Sequence, residues 1–106
     1  MMRPITAAAV LAALAFGAPV PALANPTEAM TKAGCLACHS MDKKLVGPSY
    51  KDVAAKYKGQ DVVVKLMQKV RSGGKDVFGP VPMPPTGPDK ISDSDLKAAI
   101  EYILKG

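Results

Sequence analysis

Tryptophan is absent from this sequence, histidine occurs once, and only two cysteines are present. Phenylalanine and tyrosine are also sparse, aromatic residues making up 5% of the chain. With so few rings near its basic residues the chain has little to stack on bases, so no nucleic-acid partner is expected. Arginine is nearly missing as well: after Arg3 only Arg71 occurs, and twelve lysines carry the positive charge. No strand-like alternation, internal repeat or second domain is marked anywhere in the chain. The apolar, alanine-rich stretch from Ile5 to Phe16 is too short for a transmembrane helix, and Gly17, Pro19 and Pro21 break any continuation of it. No stable membrane insertion is expected.

That apolar stretch reads instead as the middle of an export signal. Arg3 gives a positive start, and Ala22-Leu23-Ala24 is a small-residue cleavage site. Residues 1–24 are therefore expected to be a cleavable signal peptide, and 25–106 a single exported domain, in the periplasm for a bacterial chain. The domain has 82 residues, with 13 basic against 9 acidic side chains, a net charge of +4. A core of that size is marginal without a staple.

The staple is offered by Cys35-Leu36-Ala37-Cys38-His39, which uses both cysteines and the only histidine. The pattern C-x-x-C-H is the attachment motif of a c-type haem. Each thiol adds to one haem vinyl group, and the two-residue spacing lets one helical turn present both sulfurs. The imidazole next in the chain falls beneath the iron as an axial ligand. Three other readings compete for these residues. A Cys35–Cys38 disulfide would give His39 no role. A thioredoxin-like site wants the motif after a strand in a βαβ unit, and no such pattern surrounds it. A structural zinc site wants four ligands, and two cysteines and a histidine fall short. One covalent haem, large, flat and apolar, would also complete the small core.

The remaining punctuation is helical. Asn25-Pro26 opens a first helix as N-cap and first helical residue, with Glu28 in its first turn and Ala29, Met30, Ala33 and Leu36 at inward spacing. Gly34, next to Cys35, would let another element or the haem approach closely. Ser49 to Lys58 reads as a short helix closed by Gly59, and Asp61 as the cap of a third helix running to about Arg71, with Val63, Leu66, Met67 and Val70 as its apolar stripe. Ser72-Gly73-Gly74 ends that helix. A last helix starts at Ser92, with Asp95 as a variant capping box and Ile91 and Leu96 as a hydrophobic staple; Leu96, Ala99, Ile100, Ile103 and Leu104 face inward. The fold class is all-α, with long loops for a cofactor to hold.

Between these last two helices, residues 78–88 contain prolines at 80, 82, 84, 85 and 88, which impose a stiff, extended, poorly hydrogen-bonded path. Met83 sits in the middle of it. With no second histidine, a haem iron bound by His39 would take its other axial ligand from a methionine. Met41 is too near in sequence, and Met30 and Met67 lie on helical core stripes. Met83 is favoured over these three. His/Met ligation raises the reduction potential and fills both axial positions, which suits a one-electron carrier. A haem enzyme or a gas sensor is the alternative, and would need an exchangeable distal ligand.

At this point the chain resembles the small bacterial class I cytochromes c of the cytochrome c-551 (cytochrome c8) type. The likeness is carried by residues 34–39, by 45–57 (Leu-Val-Gly-Pro-Ser-Tyr-Lys-Asp-Val-Ala-Ala-Lys-Tyr) and by 77–85 (Val-Phe-Gly-Pro-Val-Pro-Met-Pro-Pro). The resemblance implies a cytochrome c fold of about four short helices around one covalent haem c, with Met83 as the distal ligand. It also implies that the Pro48 carbonyl accepts the second ring proton of His39, fixing its tautomer. The implied role is a soluble periplasmic electron carrier, monomeric and not an enzyme, between respiratory-chain components. Lys43, Lys44 and Lys75 would form a basic rim at the exposed haem edge and select redox partner proteins with acidic docking surfaces. The chain departs from the family's frequent choices at Phe78, where tryptophan is common, at Lys69, where arginine is common, and at Thr86, where asparagine occurs.

Overall fold

The computed structural model describes residues 25–106. The expected signal peptide, 1–24, lies outside the described residues. Four helices succeed one another: α1 (Pro26–Lys32), α2 (Tyr50–Lys56), α3 (Val63–Ser72) and α4 (Asp93–Leu104), with a single 3-10 turn at Cys35–Ala37 between the first two. Among the described residues there is no strand beyond one isolated bridge, Gly74 with Met83. The all-α expectation holds.

Three of the four helices start where a polar side chain can take up a free backbone N–H. Asn25 accepts from Thr27 N at 2.9 Å, Ser49 from Asp52 N at 3.1 Å and Ser92 from Asp95 N at 3.2 Å. At Ser92 the first half of the capping box forms, and Ile91 and Leu96, both buried, supply the staple. The start of α3 differs from expectation. Asp61 does not cap it; Val62 stands at the N-cap with no side-chain bond. Val62 is buried at 7% exposure, and its carbonyl accepts the first helical bond from Leu66 N at 2.9 Å. Apolar burial of the preceding residue sets the register there.

The most central element is α4, against which α1, α2 and α3 all pack. Leu96, Ala99 and Ile100 of α4 join Ala29 and Met30 of α1, Tyr50 of α2 and Ile91 in one buried cluster. Each large aliphatic side chain so buried contributes about 1.5–3 kcal/mol. The stripe of α3 (Val63, Leu66, Met67, Val70) packs on this cluster only half-buried. The core is thus small and one-sided. Two long connections, 38–49 and 73–92, cover its other flank, and large apolar side chains on them stay exposed: Leu45 47%, Val46 55%, Val77 43% and Val81 57%.

Candidate haem site

Just before the C-x-x-C-H segment, Gly34 takes a left-handed conformation (φ +86). Among the described residues nothing lies within 4 Å of where a Cβ would sit, and the backbone conformation by itself calls for glycine. The sharp turn lets the chain re-enter as the 3-10 turn, where Cys38 N and His39 N both donate to the Cys35 carbonyl, at 3.2 and 3.0 Å. One tight turn therefore carries the whole motif. The two cysteines are not joined to each other, and both are half-buried. Burial pushes the Cys35 thiol up from its ordinary range, whereas a redox-exchange cysteine needs a lowered one. Among the described residues no group of three His, Cys, Asp or Glu side chains is placed to hold a metal ion.

His39 is held from three directions. Its Nδ1 lies 2.8 Å from the Pro48 carbonyl. A carbonyl can only accept, so Nδ1 is the donor, and in the neutral ring the lone pair is then left on Nε2, the tautomer a metal-binding imidazole needs. Tyr50 stacks on the ring at 5.2 Å between centroids and 19° between planes. Burial raises the Tyr50 phenol well above its usual range, so it stays neutral beside the imidazole. Gly47 closes the third side: a Cβ there would stand 2.5 Å from Cε1, 2.8 Å from Nδ1 and 3.0 Å from Nε2 of His39. Gly47 N in turn donates to the Cys38 carbonyl at 2.8 Å, and Tyr50 N to the Ser40 carbonyl at 2.8 Å, tying the 45–50 segment to the motif.

The Met83 segment is better hydrogen-bonded than its prolines suggest. Met83 N donates to the Gly74 carbonyl at 2.7 Å and Gly74 N to the Met83 carbonyl at 3.1 Å. Thr86 N donates to the Val70 carbonyl at 2.9 Å. Arg71, only 21% exposed in its side chain, donates from Nη1 to the Thr86 carbonyl at 3.2 Å. Its Nη2 reaches the Ile91 carbonyl at 2.8 Å and Asp93 at 2.7 Å. In the sequence Arg71 stands out as the domain's single arginine and the end of a helix; its partners are 15 to 22 residues away, beyond any local pattern.

Cys35, Cys38, His39, Pro48 and Met83, the five residues singled out from the sequence, all line one cleft of about 230 Å³. Its floor comes from the core helices, with Leu66, Val70, Leu96 and Ile100 among the lining residues. Met41 and Met67 do not line it. Met30 does, but it is packed into the core at 2% exposure, while Met83 is half-buried on its loop. Val46, Val77 and Val81, exposed in the polypeptide, line the same cleft, so a large flat apolar group there would cover the surface the protein leaves open. The donor set and the lining fit a haem. Lys44 and Lys75 are at the cleft, and Lys43 is exposed but not part of its lining. Phe78 and Lys69 both line it, and the Lys56 ammonium sits 5.7 Å above the Phe78 ring.

The cytochrome c family model matches residues 23–106. The chain belongs to the cytochrome c family. It is 52% identical over 83 residues to cytochrome c2 of Rubrivivax gelatinosus, covering 77% of this chain and 98% of that protein. To cytochrome c-551 of Pseudomonas aeruginosa it is 41% identical over 81 residues, covering 76% and 75%. The crystal structure of Nitrosomonas europaea cytochrome c552 superposes with a TM-score of 0.66 at 39% identity, over 74% of this chain and 96% of that one. The four helices α1 to α4 are therefore the cytochrome c fold, and in a cytochrome c the Cys35–Cys38 pair is the attachment point of one covalent haem c.

Proposed function

We propose that this cytochrome c is a soluble one-electron carrier of the periplasm, with His39 as proximal and Met83 as distal ligand of the haem iron. One observation carries the reading: the His39 ring and Met83 line one cleft, the ring pinned by its bond to Pro48 and Met83 by its backbone pairing with Gly74. The haem supplies a one-electron couple when bound, and the residues around it decide what that couple can do. A thioether opposite an imidazole favours ferrous iron and raises the potential. The Pro48 carbonyl bond makes His39 a more basic ligand and fixes its tautomer. With both axial positions taken by fixed side chains, coordination would change little between oxidation states and no position stays open to a substrate. The enzyme and gas-sensor readings need such a position.

The periplasmic location rests on the export signal read in residues 1–24. The docking surface is inferred from the cleft mouth. Leu45 and Val46 are exposed apolar residues directly after Lys43 and Lys44, and Lys75 adjoins the same cleft. Asp42, the acid in this stretch, is occupied by Lys51 at 2.9 Å, leaving Lys43 and Lys44 outside any ion pair among the described residues. An apolar centre with a basic rim suits brief encounters with acidic redox partner proteins by a monomeric carrier. The test is exposure of the native ferrous protein to carbon monoxide. An unchanged spectrum at neutral pH is expected; prompt, tight binding would transfer the protein to the enzyme or sensor class.

A further inference from the structure

We propose that Arg71 is the positioning residue that keeps the Met83 loop shut against the haem. The inference rests on Met83 being the distal ligand. From Met83 to the start of α4 the chain must cross residues 84–92, and Pro84, Pro85 and Pro88 bring no N–H to that segment. Its carbonyls therefore need donors from elsewhere. Gly87 receives bonds from Lys90 N and Ile91 N, a local turn. The carbonyls on either side of that turn, Thr86 and Ile91, are both met by the Arg71 guanidinium, at 3.2 and 2.8 Å. Thr86 N returns to Val70, the residue before Arg71, at 2.9 Å. The last turn of α3 thus grips the loop a few residues past Met83, while Gly74 grips it at Met83 itself.

Arginine suits this work because its planar fork offers two nitrogens to two carbonyls five residues apart; a lysine offers one point charge. The contacts are sheltered, the side chain being 21% exposed. The Asp93 pairing is a lesser part, since that carboxylate is 81% exposed and such pairs contribute little. An external ligand reaches the iron only when Met83 leaves, so its apparent affinity scales with the fraction of protein whose loop is open. Arg71 sets that fraction.

The experiment measures imidazole binding to the ferric, haem-loaded protein. Arg71→Gln should tighten it by about ten- to a hundredfold, the range spanned by losing one sheltered charge-assisted bond. Arg71→Lys should fall between Arg71→Gln and wild type, and Asp93→Asn should stay within about twofold of wild type. General loss of stability is controlled by Ala54→Gly, a half-buried site inside α2 that lines neither the cleft nor the 84–92 segment, which should leave imidazole affinity within about twofold despite a lower Tm. If Arg71→Gln does not fold, Arg71→Lys against Ala54→Gly decides. Tightening in Ala54→Gly equal to that in the Arg71 variants, or none in the latter, overturns the proposal. Absence of a thioether–iron charge-transfer band in wild type would instead overturn the Met83 assignment on which it rests.

Discussion

Adding one methyl group at Gly47 should disturb the haem site more than its size suggests. The new Cβ would lie 2.5 to 3.0 Å from three atoms of the His39 ring. Ordinary contact between such atoms is about 3.5–4.0 Å, so the ring must retreat by about 1 Å. It has little freedom to do so, being held by the Pro48 carbonyl at 2.8 Å and by Tyr50 on its face. Overpacking of this kind costs about 1–3 kcal/mol. A stretched Nδ1 bond adds about 0.5–1.5 kcal/mol. Opposing this, replacing glycine gains about 0.4–1 kcal/mol by restricting the unfolded chain. That gain is available because Gly47 is not in the left-handed region. The contact terms win, and Gly47→Ala should lower stability by about 1–3 kcal/mol. In a domain of this size each kcal/mol moves Tm by about 4–8 °C. Thermal unfolding of the haem-loaded protein, followed by helix circular dichroism and haem absorbance, measures it. With His39 as the proposed proximal ligand the potential should rise as well, because a weakened Pro48 bond would make it a poorer donor to ferric iron. Gly34→Ala provides the contrast: its Cβ would meet nothing among the described residues, yet φ +86 costs about 1–2 kcal/mol of backbone strain. Asparagine tolerates that conformation and should recover part of the loss at 34, but none at 47. An unchanged Tm and potential in Gly47→Ala would refute the close approach of segment 45–50 to His39.

Three further outcomes are expected. Ser49, buried at 2% and capping α2, should cost about 0.5–2 kcal/mol when changed to alanine, read as a shift in denaturation midpoint without a change in the absorption spectrum. The exported protein should have the mass of residues 25–106 plus one haem, with the colour staying on the protein through acid–acetone extraction; a mass that includes residues 1–24 would contradict the signal peptide. Electron transfer with an acidic redox partner should slow as salt rises, and Lys43→Gln with Lys44→Gln should flatten that dependence. A flat dependence in the unaltered protein would mean that docking is apolar and the rim lysines take no part.

Much of the site could be read from local pattern because its chemistry is local. Asn25, Ser49 and Ser92 announce their helices through bonds to residues two or three positions away, and the bonds of the 3-10 turn that set Cys35, Cys38 and His39 side by side run within residues 35–39. The exceptions all involve distance along the chain. Val62, not Asp61, opens α3 because burial against the core outweighs a cap. The pairing of Met83 with Gly74 crosses a loop of prolines that hides its few remaining N–H groups. Gly47 looks like an ordinary turn residue until the His39 ring is seen lying against it. Arg71 sits on a helix face where any long polar side chain would be unremarkable, and only the return of residues 86–93 gives it partners.

The claim that most needs testing is that Met83 completes the coordination begun by His39. The direct measurement is the thioether–iron charge-transfer band of the ferric protein, compared in wild type, Met83→Ala, Met30→Leu and Met67→Leu. The account predicts the band in wild type, its loss only in Met83→Ala, and with that loss a lower potential and an iron open to external ligands. A band that survives in Met83→Ala but disappears in one of the other variants would contradict it and move the ligand to that residue.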